Sequence, residues 1–174
     1  PWQKDGLSAP APHRVEMLRR AFAAQPFPIT LDLQEINRGG ATYSVDTLRA
    51  LRNELGQQTS IVLLLGADQL QQLDTWREWR QLFQLANLCA AARPGYPIEA
   101  TRLPKEVAQE FSRRAGTPER IRNTPHGLTY LANELAIDAA ATTIRSSLQR
   151  GTRPVSLVPP VVLDYIEQFH LYKE

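Results

Sequence analysis

The stretch Ser60-Ile61-Val62-Leu63-Leu64-Leu65-Gly66-Ala67-Asp68 decides the fold class of this chain. Its aliphatic residues run without interruption, which is typical of a central parallel strand that is covered on both faces. Gly66 ends the run and permits a tight turn or a close approach of a ligand to the backbone. Asp68 follows, where a carboxylate either caps the next helix or accepts hydrogen bonds from a ligand.

Helices and strands alternate on both sides of this stretch. Hydrophobic spacing predicts helices over 13–24, 44–55 and 104–115 and a last helix from residue 160, and strands over 29–35, 60–65, 87–92 and 128–131. Thr75-Trp76-Arg77-Glu78 has the form of a capping box at the start of one more helix. The alternation predicts an α/β fold, a Rossmann-like open parallel sheet with helices on both faces. Ligands bind such sheets at the carboxyl ends of the strands, so we expect Gly66, Arg93 and Thr142 along one edge.

Length and composition narrow the class of protein. A chain of 174 residues, 43% of them hydrophobic, predicts one domain over residues 1–174. The net charge of +2 is too small to indicate nucleic-acid binding, and no apolar run is long enough to span a membrane. Cys89 is the single cysteine, so no internal disulfide can form and a cytoplasmic location is expected. The three histidines share no metal-ligand spacing, so we expect no metal cluster.

The stretch 101–125 is polar, and we expect it to be a peripheral excursion from the sheet. Its arginines, which run from Arg113 to Arg122, raise a nucleic-acid-binding domain as one interpretation. The run lacks the interleaved aromatic residues that stack on bases, so this interpretation ranks lowest.

Three further sets of residues each allow a structural and a functional interpretation. Thr142, Thr143 and Arg145 open a helix, where backbone N–H groups, hydroxyls and a forked guanidinium suit a polyphosphate; an ordinary capped helix has the same sequence. Tyr43 and Ser44 precede a helix, as a cap or as donors to a small anion. Trp76 is either core or a stacking platform for a ligand ring.

Taken together, these motifs resemble one family, the bacterial nicotinate mononucleotide adenylyltransferases of the nucleotidyltransferase superfamily with an H-x-G-H signature. The similar segments, in chain order, are Pro1-Trp2-Gln3-Lys4, Glu35-Ile36-Asn37-Arg38, Thr42-Tyr43-Ser44 with Thr47-Leu48, Gly66-Ala67-Asp68 followed by Trp76, Arg93-Pro94-Gly95-Tyr96, Thr142-Thr143-Ile144-Arg145, and Leu157-Val158-Pro159 with Tyr165-Ile166 and Leu171-Tyr172. No single segment is specific, but their order along nearly the whole chain is.

The resemblance implies transfer of an adenylyl group from ATP to nicotinate mononucleotide, with Mg²⁺ carried by ATP. It assigns Arg145 and Thr142 to catalysis and, with Thr143, to the ATP phosphates. It assigns the mononucleotide to Tyr43, Ser44, Gly66, Asp68, Trp76 and Lys4. Small-molecule substrates are then the expected partners, with no nucleic acid or membrane, and the sequence leaves a homo-oligomer open.

The chain also departs from the family pattern. No H-x-G-H occurs, and Ala139-Ala140 stand where the family often has Ile-Ser. We therefore expect a segment of about 40 residues, with the first strand and helix, to be missing, and the chain without it to be inactive. Two alternatives stay open: a related enzyme such as the pantetheine-phosphate adenylyltransferase, which should lack the Trp76 platform, and a nucleotide-binding module without catalysis.

Overall fold

The computed structural model describes residues 9–92, 98, 102–132 and 141–172. The chain divides into two compact units, Pro1–Ala41 with Ala139–Glu174, and Thr42–Asp138. Within the described ranges, no helix combines the length and the apolar character that crossing a membrane requires.

The second unit alternates helices and strands. Its elements are α3 (Ser44–Leu55), β1 (Val62–Gly66), α4 (Ala67–Leu70), two 3₁₀ turns (Leu73–Thr75 and Trp79–Gln81), α5 (Leu82–Leu85), β2 (Asn87–Ala91), α6 (Lys105–Arg113), α7 (Pro118–Arg122) and β3 (Thr129–Ala132). Helix α3 ends at Gly56, whose φ of 85° belongs to the left-handed region that favours glycine. The predicted strands at 60–65, 87–92 and 128–131 and the predicted helices at 44–55 and 104–115 are confirmed to within a few residues.

The three strands form an open parallel sheet in the order β1-β2-β3, which confirms the predicted fold class. Val62 pairs with Asn87 and Gly66 with Ala91, so β1 and β2 run in register along their length. Among the residues that the structure describes, strand β1 lies at an edge of this sheet rather than at its centre. Leu65 is buried, whereas Leu64 is 68% exposed, so the described residues cover β1 on one face and not on both as expected.

One hydrophobic core joins the sheet to its helices. Val45 and Leu48 of α3 pack there with Phe83 of α5 and Leu88 of β2. The polar stretch 101–125 also contributes to this core, through Leu103, Val107 and Phe111. The spacing of Val107 and Phe111, four residues apart on α6, turns one face of that helix inward and leaves its charged residues outside.

Two buried polar side chains, Arg52 and Asn87, form hydrogen bonds to the segments that precede the three strands. Arg52, only 3% exposed, donates to the carbonyl oxygens of Thr59 (2.6 Å), Leu85 (2.5 and 3.2 Å) and Pro125 (2.9 Å), which precede β1, β2 and β3 respectively. It also donates to the carbonyl oxygens of Gly56 and Gln57 at the end of α3.

Asn87, the first residue of β2, completes this arrangement. It is fully buried, and its amide nitrogen donates to the Thr124 carbonyl at 2.7 Å and to the Ser60 hydroxyl at 3.3 Å. Its amide oxygen accepts from the backbone N–H of Leu128 at 2.9 Å. Since every polar atom needs a partner when it is buried, these contacts fix the amino ends of the strands against one another.

The first unit is helical in its described part. It contains α1 (Ala11–Phe22), α2 (Gln34–Arg38), α8 (Ala141–Gln149) and α9 (Pro160–Gln168). Its core groups Leu148 with Val162, Leu163 and Ile166. Tyr165 joins α9 to α1: its hydroxyl lies 2.8 Å from His13 Nδ1, and the Arg20 guanidinium lies 4.4 Å from its ring centroid. The predicted helices at 13–24 and from Pro160 are confirmed.

Two local expectations are wrong for identifiable reasons. The alternating segment 29–35 forms no strand; Asp32 accepts a hydrogen bond from the backbone N–H of Gln34 at 2.9 Å, which favours the start of α2. The capping box is absent as well. The Thr75 hydroxyl donates back to the Gln72 carbonyl at 2.7 Å, so it closes a 3₁₀ turn and no helix begins at Trp76.

Candidate active site

The carboxyl end of β1 leads directly into the Gly66-Ala67-Asp68 turn. Gly66 has φ −77° and ψ 157°, a conformation open to any residue, so the tight turn does not require glycine. A Cβ built on Gly66 would meet no atom within 4 Å. Gly66 therefore leaves open space beside the backbone, and Asp68 is exposed in the first turn of α4.

Helix α3 begins with Tyr43 and Ser44. Tyr43 is the cap residue, in an extended conformation, and its carbonyl accepts from the backbone N–H groups of Asp46 (3.0 Å) and Thr47 (3.2 Å). Ser44 is the first helical residue rather than the cap that the sequence suggested. The Tyr43 ring is partly buried against the core of the second unit.

The two indoles of the segment after β1 have different surroundings. Trp79 is buried in the core, in contact with Phe83. Trp76 packs against the same core but is only half-buried. It lies between the two 3₁₀ turns, with φ −75° and ψ 142°. Trp76 therefore has an exposed part that a ligand ring can contact, whereas Trp79 has almost none.

Four charged side chains lie next to Tyr43 and Trp76. Arg49 bonds to Glu78 and, at 3.3 Å, to Asp46. Arg77 lies farther from the same carboxylates, 3.9 Å from Asp46 and 3.6 Å from Glu78. The hydrogen bond to Glu78 raises the pKa of Arg49 above its usual value. Glu78 itself has φ 50° and ψ 38°, a left-handed conformation that is uncommon outside glycine.

The predicted phosphate-binding residues lie in the first unit. Thr142 and Thr143 are in the first turn of α8 and exposed, and Arg145 follows in the next turn. The Arg145 guanidinium donates to the Thr142 hydroxyl at 3.5 Å, so the two side chains share one face of the helix. Residue 140, which precedes the helix, lies outside the described ranges, and so do Lys4 and Arg93.

Sequence reasoning did not single out two arginines, Arg14 and Arg77, as residues near the candidate site. Arg14, like Arg145, lies close to Tyr172. Burial raises the pKa of the Tyr172 hydroxyl, and the charges of Arg145 and Arg14 both oppose that rise. Nε of Arg14 is buried and has no hydrogen-bond partner among the residues that the structure describes. Arg77 is the second of these arginines. Its segment, 75–78, is interpreted from the sequence as a capping box, and that interpretation gives Arg77 no part in a ligand site. Arg14 is a charged residue within the apolar face of a predicted helix, and this position is the feature of the sequence that could have identified it.

Comparison with known proteins defines the class of the chain. Residues 1–148 match the model of the cytidylyltransferase-like family. Two solved structures share the fold, both of the Plasmodium falciparum nicotinic acid mononucleotide adenylyltransferase. The one complexed with APC has a TM-score of 0.62 and covers 93% of this chain and 75% of that one; the one complexed with NaAD has a TM-score of 0.64 and covers 94% and 75%. Each is 16% identical in sequence, so the likeness concerns the fold alone.

Curated relatives then give the particular family. The probable nicotinate-nucleotide adenylyltransferase of Herminiimonas arsenicoxydans is 59% identical over 173 residues, which cover 99% of this chain and 79% of the relative. That of Dechloromonas aromatica (strain RCB) is 40% identical over 166 residues, which cover 94% and 75%. This chain belongs to the nicotinate-nucleotide adenylyltransferase family, nucleotidyltransferases of NAD biosynthesis.

Proposed function

We propose that this chain, together with the H-x-G-H segment expected from the family pattern, catalyses the reaction of ATP with nicotinate mononucleotide to give nicotinate adenine dinucleotide and pyrophosphate. One observation carries the assignment of the mononucleotide site: Trp76, in the segment that follows β1, is half-buried, while its neighbour Trp79 is core. An indole with one accessible part, in the segment that follows the carboxyl end of a parallel strand, suits an aromatic ring of a nucleotide.

In the proposed reaction, a phosphate oxygen of nicotinate mononucleotide attacks the α-phosphorus of ATP. A new P–O bond forms, and the bond from the α-phosphorus to the bridging oxygen breaks. Pyrophosphate leaves with the electron pair. No covalent enzyme intermediate is needed. The single cysteine is a poor nucleophile, because burial raises the pKa of the Cys89 thiol and so favours its protonated form. The protein contributes positioning and charge stabilisation.

The ATP phosphates are assigned to α8. The first N–H groups of a helix point toward an anion, and the helix dipole favours negative charge there. Thr142 and Thr143 add hydroxyl donors, and Arg145 adds a fork that can follow charge onto the leaving pyrophosphate. The 3.5 Å contact between Arg145 and Thr142 supports this assignment, because it keeps the guanidinium on the same helix face as that hydroxyl.

The mononucleotide is assigned to the second unit. Trp76 stacks on the pyridine ring, and Tyr43 and Ser44 hold the nucleotide at the start of α3. Asp68 accepts hydrogen bonds from a ribose hydroxyl, and Gly66 lets the ligand approach the backbone. The open space at Gly66 supports the last role, since no atom lies within 4 Å of the position that a Cβ would take there. Lys4 is assigned to the same ligand from the sequence pattern.

Mg²⁺ is proposed to enter with ATP. The described residues contain no group of three His, Cys, Asp or Glu side chains that could hold a metal. A magnesium ion held largely by the phosphates and by water would need no such group. When bound, it neutralises charge on the triphosphate, and Arg145 adds to that effect. We also propose that the reaction takes place in the cytoplasm, because a chain with a single cysteine, which cannot form an internal disulfide, fits a reducing compartment.

Product analysis tests the proposal. The protein that includes the expected H-x-G-H segment is incubated with ATP, Mg²⁺ and nicotinate mononucleotide, and nicotinate adenine dinucleotide and pyrophosphate are quantified by chromatography. We expect both in equal amounts, and little or none of either from residues 1–174 alone. Formation of dephospho-coenzyme A from ATP and phosphopantetheine instead would identify the sister enzyme. Tight binding of both substrates without product, in protein that is folded, would identify a nucleotide-binding module.

A further inference from the structure

The backbone turn that follows Trp76 contains a strained residue. The Trp79 backbone N–H donates to the Trp76 carbonyl at 3.2 Å, which closes a four-residue turn with Arg77 and Glu78 in its middle. Glu78, the third residue of this turn, has φ 50° and ψ 38°. A positive φ at this position favours glycine or asparagine, and another residue keeps it only where surrounding contacts enforce it.

The Glu78 side chain supplies such a contact. Its carboxylate accepts a hydrogen bond from the guanidinium of Arg49 on α3, 29 residues earlier in the chain. Arg49 also bonds, at 3.3 Å, to Asp46 one helical turn before it. Because Val45 and Leu48 anchor α3 in the core, the ion pair ties the strained turn to a fixed element of the second unit.

The conformation of this turn affects Trp76 more than Trp79. The Trp76 backbone N–H donates to the Leu73 carbonyl at 3.1 Å, and its carbonyl accepts within the turn, so both of its backbone groups are engaged. Beyond the turn, Trp79 is fixed in the core, whereas Trp76 keeps an accessible part. If Glu78 left its left-handed conformation, the half-buried indole is therefore the one that would shift.

We propose that Arg49 and Glu78 are positioning residues for the mononucleotide, because their ion pair holds the turn that sets the orientation of the Trp76 indole. This inference rests on the proposed function, since it needs the nucleotide ring on Trp76. The two charged side chains act through the backbone and not by touching the substrate. Stacking between aromatic rings depends on their relative orientation, so a small rotation of the indole weakens the contact.

The test is the KM for nicotinate mononucleotide in protein that includes the expected H-x-G-H segment. Glu78→Ala and Arg49→Ala should each raise this KM about fivefold, with kcat and the KM for ATP within about twofold of wild type. In a Trp76→Ala background, Glu78→Ala should raise the KM no further, because the pair acts through this indole. Circular dichroism and the melting temperature establish that each variant is folded.

Glu78→Asn separates the backbone conformation from the charge. Asparagine is shorter and uncharged, so it gives up the ion pair with Arg49, but it tolerates the left-handed conformation. The KM for nicotinate mononucleotide should therefore lie closer to the wild-type value in Glu78→Asn than in Glu78→Ala. Adding Arg49→Ala to Glu78→Asn should then have little further effect, since the turn no longer depends on the pair.

The ion pair between Arg80 and Glu106 is the matched control. It also joins the segment after β1 to a helix, and both of its side chains are exposed. Arg80, however, has no positive φ. Arg80→Ala and Glu106→Ala should leave the KM for nicotinate mononucleotide within about twofold of wild type.

Three results would overturn the inference while the proposed function stands. They are an unchanged KM in Glu78→Ala, equal rises in the KM for both substrates, and a full additional effect of Glu78→Ala in the Trp76→Ala background. Equal effects of Glu78→Ala and Glu78→Asn would also contradict it, because the backbone would then not matter. A wild-type protein that neither binds nor converts nicotinate mononucleotide would instead overturn the proposed function, and the inference with it.

Discussion

The indole of Trp79 meets the ring of Phe83 edge to face, with centroids 6.1 Å apart and planes inclined by 72°. This pair anchors the segment after β1 in the core of the second unit. Three residues earlier, Trp76 rests on the same core but stays half-buried. Two chemically identical side chains thus have separable roles, one in stability and one in the proposed ligand site.

Replacing the two tryptophans separates these roles. Trp76→Ala should raise KM for nicotinate mononucleotide by an amount equivalent to about 1–3 kcal/mol of stacking, with KM for ATP nearly unchanged. Trp79→Ala should lower the free energy of unfolding by about 3–5 kcal/mol, because it empties a core site. Steady-state kinetics and urea unfolding measure the two effects. If Trp79→Ala weakens mononucleotide binding and Trp76→Ala only destabilises the fold, the two assignments are reversed.

Arg145 should matter mainly in the transition state. Arg145→Ala is expected to lower kcat about 10²- to 10³-fold, far more than it changes KM for the mononucleotide, since a contact to developing charge is worth about 2.7–4 kcal/mol. Arg145→Lys should recover little of this rate, because a point charge does not reproduce the fork.

Arg150, which follows the last residue of α8, provides the control. It donates to Ser147 at 3.5 Å, as Arg145 donates to Thr142, and both pairs are three residues apart. Arg150→Ala should leave kcat within a few-fold of wild type. Equal effects of the two alanine variants would mean that Arg145 is an ordinary surface residue of α8.

Removing Arg52 should destabilise the fold without affecting ligand affinity in the folded protein. Arg52→Met leaves buried carbonyl oxygens without a donor, and we expect a loss of about 3 kcal/mol in the free energy of unfolding. Arg113→Met is the comparison: Arg113 is 60% exposed and pairs with Glu110, so its loss should be below about 1 kcal/mol. Denaturant unfolding of both variants decides, and equal losses would contradict the structural role given to Arg52.

Glu110 should make stability depend on acid pH. Burial alone would raise its pKa, but hydrogen bonds from Arg114 and Arg113 outweigh burial and hold the pKa below the usual value. The unfolded chain therefore takes up this proton at higher pH than the folded one. The stabilisation is complete above the ordinary glutamate pKa of about 4.3 and is lost as pH falls through the lowered value in the fold.

The melting temperatures of wild type and Glu110→Gln, followed from pH 7 to pH 3, measure this effect. The wild type should be more stable at pH 7, by about 1 kcal/mol, and the difference should become smaller as the pH falls. Glu106→Gln is the control, because Glu106 and its partner Arg80 are both more than half exposed. A difference for Glu110→Gln that persists unchanged at pH 3 would rule out the ionised carboxylate as its source.

The sequence was sufficient where structure depends on local pattern. The aliphatic run before Gly66, the stripe of α3 and its stop at Gly56 follow from spacing and backbone preference, and the structure confirms them. The strand expected at 29–35 does not form. Strand pairing depends on a partner that is distant in the sequence, whereas the hydrogen bond from the Gln34 backbone N–H to the Asp32 carboxylate is available within the segment.

The contacts of Arg52 and Arg77 could not be predicted from local sequence patterns. In the sequence Arg52 is an ordinary helix cation, and only folding brings to it carbonyls that are 33 and 73 residues away. Arg77 likewise meets Tyr43 through tertiary structure alone. The family resemblance supplied the candidate residues Tyr43, Trp76 and Arg145, but burial was needed to separate Trp76 from Trp79.

The bonds of Asn87 and Arg52 divide the sheet into two ends of unequal local stability. At the amino ends of the strands, the amide proton of Leu128 is bonded to a fully buried side chain and should exchange with deuterium only when the whole unit unfolds. At the carboxyl ends, which carry Gly66 and Asp68, exchange through local opening should be faster. If ligands bind where the proposed function assigns them, they should slow exchange at the carboxyl ends of the strands and leave the amino ends unchanged. The proposed binding end could then adjust to its substrates while the opposite end preserves the fold.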